Sequence, residues 1–567
     1  MPNRLHFKEY IQTIESLLAD EEFSLAVERS EEALRWYREA AVFHRSHATA
    51  LVRMRDATGA LTILQQAVSH LPTESSLFTA LGNLYISEFR DFVRAEQQFA
   101  RAINLNANGS DGYVGYAECR LQQGGFEELW REQPDWALPQ LLLEAFVLQL
   151  RNYGRYSEAK SAALRLLQDF GRHPAALLAL ARIEEEAAHD LAAARRHITA
   201  ALHLSPTSIP GHLAYLSLLI KAGKWADASR HLRSMMKYFG YSYPPFVSEA
   251  RNWDGSPLEG KTVLLDSNLV PGYGDFIHFS RFAAALQERG ATVGVRTRKR
   301  LKSLLATASA VDFTIAYSEP VRPADYMAEM SLLWLFLGIG MKDVAANVPY
   351  LKADAAALER WSFARDGTLR VGLVPRSAGR HPFNRHTAKN VPVQEFAALA
   401  GLPGVRFYSF EMPPTSPALP NVLHSVAVVA DFFETAAVFS QMDVVVTVDT
   451  AMAHLTGALN KPGFLLLPYS PDWRWMLNCE DTPWYPSLRL IRQPAPGDWH
   501  SVMQQCAAEL AEFARQNPAP NGRATYTVDS TCTLSTGASA VARDGTNYKE
   551  ARNQIHSVRD NLARRAY

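Results

Sequence analysis

Along the first 240 residues the apolar positions keep one recurring spacing. A small residue is followed by a large one four places on, a second small one three places later and, in the fullest copies, a proline five beyond that. Ala60, Leu64, Ala67 and Pro72 carry the whole pattern, as do Ala194, Ile198, Ala201 and Pro206; Ala95, Phe99 and Ala102 lack only the proline. Weaker copies stand at Ala26/Ser30/Ala33, Ala159/Ala163 and Ala228/Leu232/Met235. Their starting points lie 34 (26 to 60), 35 (60 to 95), 35 (159 to 194) and 34 (194 to 228) residues apart, and the gap of 64 from 95 to 159 leaves room for one degenerate unit around Phe126–Leu129. Leu81, Gly82 and Tyr85 sit where the partner helix of the Ala95 unit should run. Small residues let paired helices approach and a large one fills the groove, so the period predicts a solenoid of stacked helix pairs with a concave face.

The pattern changes after Tyr243-Pro244-Pro245. Lys261–Asp266 reads as a buried strand, followed by the glycine-rich SNLVPGYGD and a helix beginning near Asp275; Thr292–Arg296 is the next strand. A second unit restarts with Arg370–Val374, followed by a basic loop holding Arg376, Arg380, Arg385, His386 and Lys389, then a strand at Val405–Phe410 and a helix over Asp431–Ser440 capped by Asp431. Val444–Val448 is a β-branched run bounded by two aspartates. It leads to a short helix, Ala451–Leu459, with Asn460 suited to the left-handed position after it and Phe464–Leu467 as the following strand. Strands alternating with helices predict doubly wound parallel sheets, which bind ligands beyond the carboxyl ends of their strands. The organisation expected is therefore an α solenoid over 1–240 followed by two Rossmann-like α/β halves, 241–365 and 366–515. Residues 516–567 hold six Leu, Ile, Val or Phe in 52, too few to bury a core, and are expected to be a disordered tail.

Composition removes several function classes. The 58 basic and 58 acidic residues cancel, so nothing global points to nucleic acid or to an anionic membrane surface. The four cysteines, Cys119, Cys479, Cys506 and Cys532, form no metal-ligand spacing and fit a reducing cytoplasm. The N-terminus lacks the apolar core of a secretion signal, and the most apolar stretch, Leu332–Met341, is about half the length that crosses a bilayer. A cytoplasmic protein with no stable membrane insertion is expected. The basic run Arg296–Lys302 reads as a solvated helix start or, less simply, a lipid-facing surface.

The 34–35-residue period is that of tetratricopeptide repeats. LVPGYGDFIHFSRFAAAL resembles the N-terminal loop and helix of bacterial glycosyltransferases related to the lipopolysaccharide heptosyltransferases. VDTAMAHLTGALNKPGFLLLP, with PDWRWMLNCEDTPWYPSLRLIRQPAPGDW, resembles the C-terminal half of their tetratricopeptide-linked branch, and the architecture is also similar to that of O-GlcNAc transferase. The resemblance covers roughly 255–512. It implies a GT-B fold, a nucleotide-sugar co-substrate, no metal or other cofactor, and transfer to a protein acceptor gripped by residues 1–240, with flagellin as one setting. A glycan- or lipopolysaccharide-directed transferase and a non-catalytic scaffold are the alternatives.

On that reading the donor side comprises Thr450 and the N–H groups of Ala451 and Met452 as a phosphate clamp, aided by Arg376 or Arg385. Asp449 belongs beside them as ligand contact or helix cap, and His454, one turn further on, is counted on the donor side too, although a histidine there more commonly packs. Gly272, Tyr273 and Gly274 form the acceptor side. The resemblance implies that Asp275 activates the acceptor hydroxyl; the competing reading is an N-cap for the helix Phe276–Leu286. Trp473, Arg474, Trp475, Trp484 and Tyr485 read equally as a donor-pocket wall or as core packing.

Overall fold

The computed structural model describes residues 5–517, apart from 133, 135–136, 240–249, 268–271, 345–347, 362, 364–366, 378–388, 411–421, 426–430 and 478. The expected tail falls outside these residues from 518 on, while Gln516 ends a helix.

The N-terminal part is a succession of antiparallel helices. It begins with α1 (Phe7–Ala19), α2 (Phe23–Trp36), α3 (Ala41–Arg53), α4 (Ala57–His70), α5 (Ser75–Leu84), α6 (Phe92–Leu105) and α7 (Ser110–Leu121). It continues with α8 (Phe126–Arg131), α9 (Pro139–Asn152), α10 (Tyr156–Phe170), α11 (Pro174–Ala187), α12 (Leu191–Leu204), α13 (Ile209–Lys221) and α14 (Trp225–Phe239). The small and large residues of the spacing lie on the even-numbered helices and are buried, while Pro72 and Pro206 stand exposed just past the ends of α4 and α12. The degenerate unit exists as the six-residue α8. Phe99 shows why the pattern demands small neighbours: a Cβ at Gly82 or Gly115 would fall 2.7 or 2.2 Å from its ring. Asp56, Asp91 and Asp190 cap α4, α6 and α12, which fixes where each second helix of a pair begins.

The first α/β half has five parallel strands in the order β1-β5-β2-β3-β4: β1 (Arg251–Asn252), β2 (Thr262–Asp266), β3 (Thr292–Thr297), β4 (Phe313–Ala316) and β5 (Tyr326–Glu329). Its helices are α15 (Tyr273–Phe279), α16 (Ala283–Gln287), α17 (Lys299–Leu305) and α18 (Met330–Leu337), with α19 (Met341–Val344) and α20 (Ala355–Arg360) leading on. The second half has six parallel strands in the order β11-β10-β9-β6-β7-β8. These are β6 (Leu369–Val374), β7 (Val405–Ser409), β8 (Val422–Ser425), β9 (Val444–Val448), β10 (Gly463–Leu467) and β11 (Leu488–Arg492). Its helices are α21 (Phe432–Gln441), α22 (Ala451–Ala458) and α23 (Trp499–Gln516). Numbered from β6, that order is 3-2-1-4-5-6 read from the far edge, the doubly wound order whose switch point lies between β6 and β9. The first half reverses its strand order between β2 and β5.

One apolar core joins the two halves and continues into the end of the solenoid. Leu216, Leu219, Trp225 and Leu232 of α13 and α14 belong to the same cluster as Leu265, Phe276 and Trp334 of the first half and Leu465, Trp475 and Trp484 of the second. Trp225 stacks on Trp484 at 5.0 Å and meets Trp334 edge-on at 4.9 Å. The packing of α13 and α14 thus runs on into both sheets. Among the described residues no helix is long and apolar enough to cross a membrane.

Candidate functional site

The two halves meet where α15, after β2, packs on α22, after β9. Gly274 makes this possible: a Cβ there would lie 2.7 Å from His454 Cδ2 and 3.3 Å from Ala451 Cα. The backbone of Ala451, whose N–H is expected to meet phosphate, therefore lies directly against α15. Ala453 is fully buried.

Asp275 lies on this seam. The helix starts two residues earlier than the sequence indicated, with Gly272 as N-cap and no side-chain cap, so Asp275 stands in the first turn and is not the capping residue. Its carboxylate meets the Arg474 guanidinium, which also donates to Asp472 at 2.8 Å. Arg474 packs against two aromatic rings, its guanidinium carbon 5.0 Å from the Phe279 centroid and 4.7 Å from that of Trp473. Burial pushes the Asp275 carboxyl up to about 6, against the pull of Arg474 and with added repulsion from Asp472 and Asp449. A second raised carboxyl, Asp266 at the end of β2, also stands at about 6 through burial. Asp266 is 1% exposed and closed off by Tyr317, Arg296 and the Ser267 N–H, whereas 22% of the Asp275 side chain remains open to solvent. Exposure decides between them, because a base must touch the proton it takes.

Across the seam, Asp449 does not cap α22. Thr450 does, accepting from the Met452 N–H at 3.2 Å, so Thr450 and Met452 satisfy each other. Asp449 instead accepts from Lys389 Nζ at 2.6 Å. Burial opposes the charge on Lys389, but Asp449 and Asp472 outweigh it and hold the ammonium above its ordinary value. Arg376 lies on the same switch-point loop, two residues past the end of β6, while Arg385 falls outside the described residues.

His454 is a packing residue here. Its ring stacks on Trp475 at 5.3 Å, its Nδ1 shares a 2.9 Å hydrogen bond with the Tyr485 hydroxyl, and burial pushes it down to about 3. The same hydroxyl meets His278 Nδ1 at 2.9 Å and the Tyr350 hydroxyl at 3.3 Å. Arg281 closes this knot by donating to the Trp484 carbonyl at 2.8 Å and to Tyr350 at 3.3 Å. Of the aromatic run, Trp475, Trp484 and Tyr485 are fully buried, which settles those three as core; Trp473 packs against the core and shelters Arg474.

Tyr273, expected on the acceptor side, faces the solenoid: its hydroxyl donates to Glu21 at 2.6 Å. The basic run corrects the sequence reading in the same way. The Asp20 carboxylate accepts from the Lys299 N–H at 2.8 Å and from the Ser318 N–H at 2.6 Å. Lys299 pairs with Glu22, and Arg300 with Glu21 at 3.1 Å. Arg298 donates to the Ala19 carbonyl at 3.2 Å, so the middle of this run, although Lys299 is exposed, seats the α1–α2 turn, while Arg296 and Lys302 pair with Asp266 and Glu319. Further along the solenoid, between α11 and α12, His189 stacks on Tyr469 at 4.5 Å, three residues before Asp472.

The sequence reading missed Asp472 as part of the site and Arg474 as partner of Asp275. Their one signal was position: both follow β10, at the carboxyl edge that already held Asp449. Among the described residues there is no group of three or more His, Cys, Asp or Glu arranged to hold a metal ion.

No family model matches the chain. Protein FlbA of Caulobacter vibrioides is 26% identical over 392 residues, 62% of this chain and 63% of FlbA, so the chain spans less than two thirds of that relative. Among solved structures, a glycosyl transferase family 9 protein from Veillonella parvula is 12% identical, with 45% of this chain and 98% of that one covered, at a TM-score of 0.33. The TPR2AB domain of yeast Sti1, in complex with pHSP90, is 12% identical over 41% of this chain and 89% of its own, at 0.19. The chain joins a helical solenoid of the tetratricopeptide kind to a GT-B-like pair of Rossmann-like sheets.

Proposed function

We propose that the protein is a glycosyltransferase that moves a sugar from a nucleotide-sugar to a protein acceptor presented by its repeats. One observation carries the reading. Asp275, on the first half, is a partly exposed carboxyl of raised proton affinity set against the first turn of α22 on the second. In this reading Asp275 takes the proton of the acceptor hydroxyl as its oxygen bonds to the anomeric carbon. The bond from that carbon to the nucleotide phosphate breaks, with inversion. Lys389 and the first turn of α22 take up the charge of the leaving phosphate, so charge neutralisation is assigned to the chain without a metal. The FlbA match is compatible with this reading but assigns no acceptor, and flagellin rests on the sequence resemblance alone.

One feature favours the scaffold reading. Lys389 and Asp275 are each tied to a side chain of opposite charge, so a donor would have to draw Lys389 from Asp449. The test is turnover of a panel of UDP-, GDP-, ADP-, dTDP- and CMP-sugars by the full chain. Release of nucleotide that falls 10²–10⁴-fold in Asp275→Asn, with donor binding unchanged, is expected of a lost general base. Absence of both binding and release across the panel would leave the scaffold.

A further inference from the structure

We infer that Arg474 is a positioning residue for Asp275, fixing the carboxylate on the seam and, in opposition to Asp472, governing its charge. The inference rests on Asp275 being the proton-accepting group, and it assigns a task to the Asp472-Trp473-Arg474 turn.

The geometry is specific. The guanidinium packs against two rings at once, Phe279 from α15 itself and Trp473 beside it in sequence, which anchor it next to the seam. From there it spans two carboxylates on different halves, Asp275 on the first and Asp472 on the second. Its Nε is buried without a partner among the described residues. An unmade buried hydrogen bond costs ~1–3 kcal/mol. A cation needed only to hold this turn would reach Asp472 more cheaply from solvent, so the arrangement favours the contact with Asp275.

The charges facing Asp275 come from every neighbouring element. Arg474 and Asp472 follow β10, Asp449 follows β9 and Lys389 follows β6. His454 on α22 and His278 on its own helix are kept neutral by burial. Arg474 favours the ionised form and Asp472 opposes it, so the two predict opposite effects when removed.

The experiment uses the full chain without substrate. Thermal midpoints from pH 4 to 8 are compared between wild type and Asp275→Asn. The comparison is repeated in the Arg474→Gln, Arg474→Lys and Asp472→Asn backgrounds. In each background the difference between parent and Asp275→Asn changes with pH only while Asp275 titrates. The inference expects that range to end near pH 6 in wild type, to end at least one pH unit higher in Arg474→Gln, to return toward wild type in Arg474→Lys, and to end lower in Asp472→Asn. The same range in all four backgrounds would overturn it, as would a shift of equal sign for Arg474→Gln and Asp472→Asn. If Arg474→Gln does not fold, the lysine and Asp472→Asn variants still give the comparison. Nucleotide-sugar turnover separates this outcome from the functional reading. Opposite shifts together with normal release by Asp275→Asn would keep the pair and discard Asp275 as base. Shifts together with a slow acid limb in Arg474→Gln, at unchanged KM for donor, support both.

Discussion

Asp275 costs the protein stability once it is ionised. Its folded carboxyl holds a proton up to about pH 6, whereas the unfolded chain gives it up near the ordinary aspartate value. Between roughly pH 4 and 6 the native state therefore binds more protons than the unfolded one, and stability falls as pH rises through that window. At 1.36 kcal/mol for each tenfold in proton affinity the loss approaches ~3 kcal/mol. Asp275→Asn should remove it, so the variant should gain on wild type from pH 4 to 6 and hold the gain above, read by thermal or urea unfolding. Gly274 sets a second expectation. Gly274→Ala drives a methyl into the buried His454 ring and toward the Ala451 backbone, neither of which can give way, and overpacking of this kind costs ~1–3 kcal/mol. The sequence pointed to both residues because they follow a strand end. It could not tell base from cap at 275, since a cap depends on where the helix starts, and Gly272 started it earlier. Nor could it see that Thr450, and not Asp449, would cap α22; the choice turns on Lys389, sixty residues away, claiming the aspartate.

At the scale of elements, α17 opens with three cations, the wrong sign for a helix N-terminus, and carries no side-chain cap of its own. Asp20 supplies the missing acceptor from the solenoid. Asp20→Ala should destabilise this contact by ~1–2 kcal/mol, as the loss of a buried cap does elsewhere. It should also speed hydrogen exchange at the amides of Lys299 and Ser318 while leaving that of β9 unchanged. Regular elements were legible to within a residue or two: β9 is a continuous β-branched run, β6 is apolar apart from Arg370 and Gly372, and α4, α6 and α12 follow the repeat spacing closely. The basic run was misread because the acids that neutralise it lie near residue 20, and local charge patterning carries no record of a partner 279 positions away.

For the whole molecule, the shared core changes where the chain can be divided. A boundary at 240 suggests that removing 1–240 leaves an independent α/β unit, but that cut strips Trp225 and α13 from Trp334 and Trp484. The 1–240 deletion should aggregate or melt far below the full chain. A deletion ending before α13, at 207, should stay soluble, compared by sedimentation and calorimetry. Trp225→Ala should cost ~3–5 kcal/mol, as large aromatic truncations in cores do. The contact of Asp20 with Lys299 and Ser318 also has a consequence in time. At synthesis rates of 5–20 residues per second, the α1–α2 turn is made roughly 15–60 s before its partner segment. Until then the nascent solenoid is an arc anchored at neither end, with α13 and α14 exposing the apolar face that the sheets will cover. The α1–α2 turn, made long before its partner, is thus among the last parts to find its place, which makes the unfinished arc, more than the finished fold, the form that a chaperone would meet.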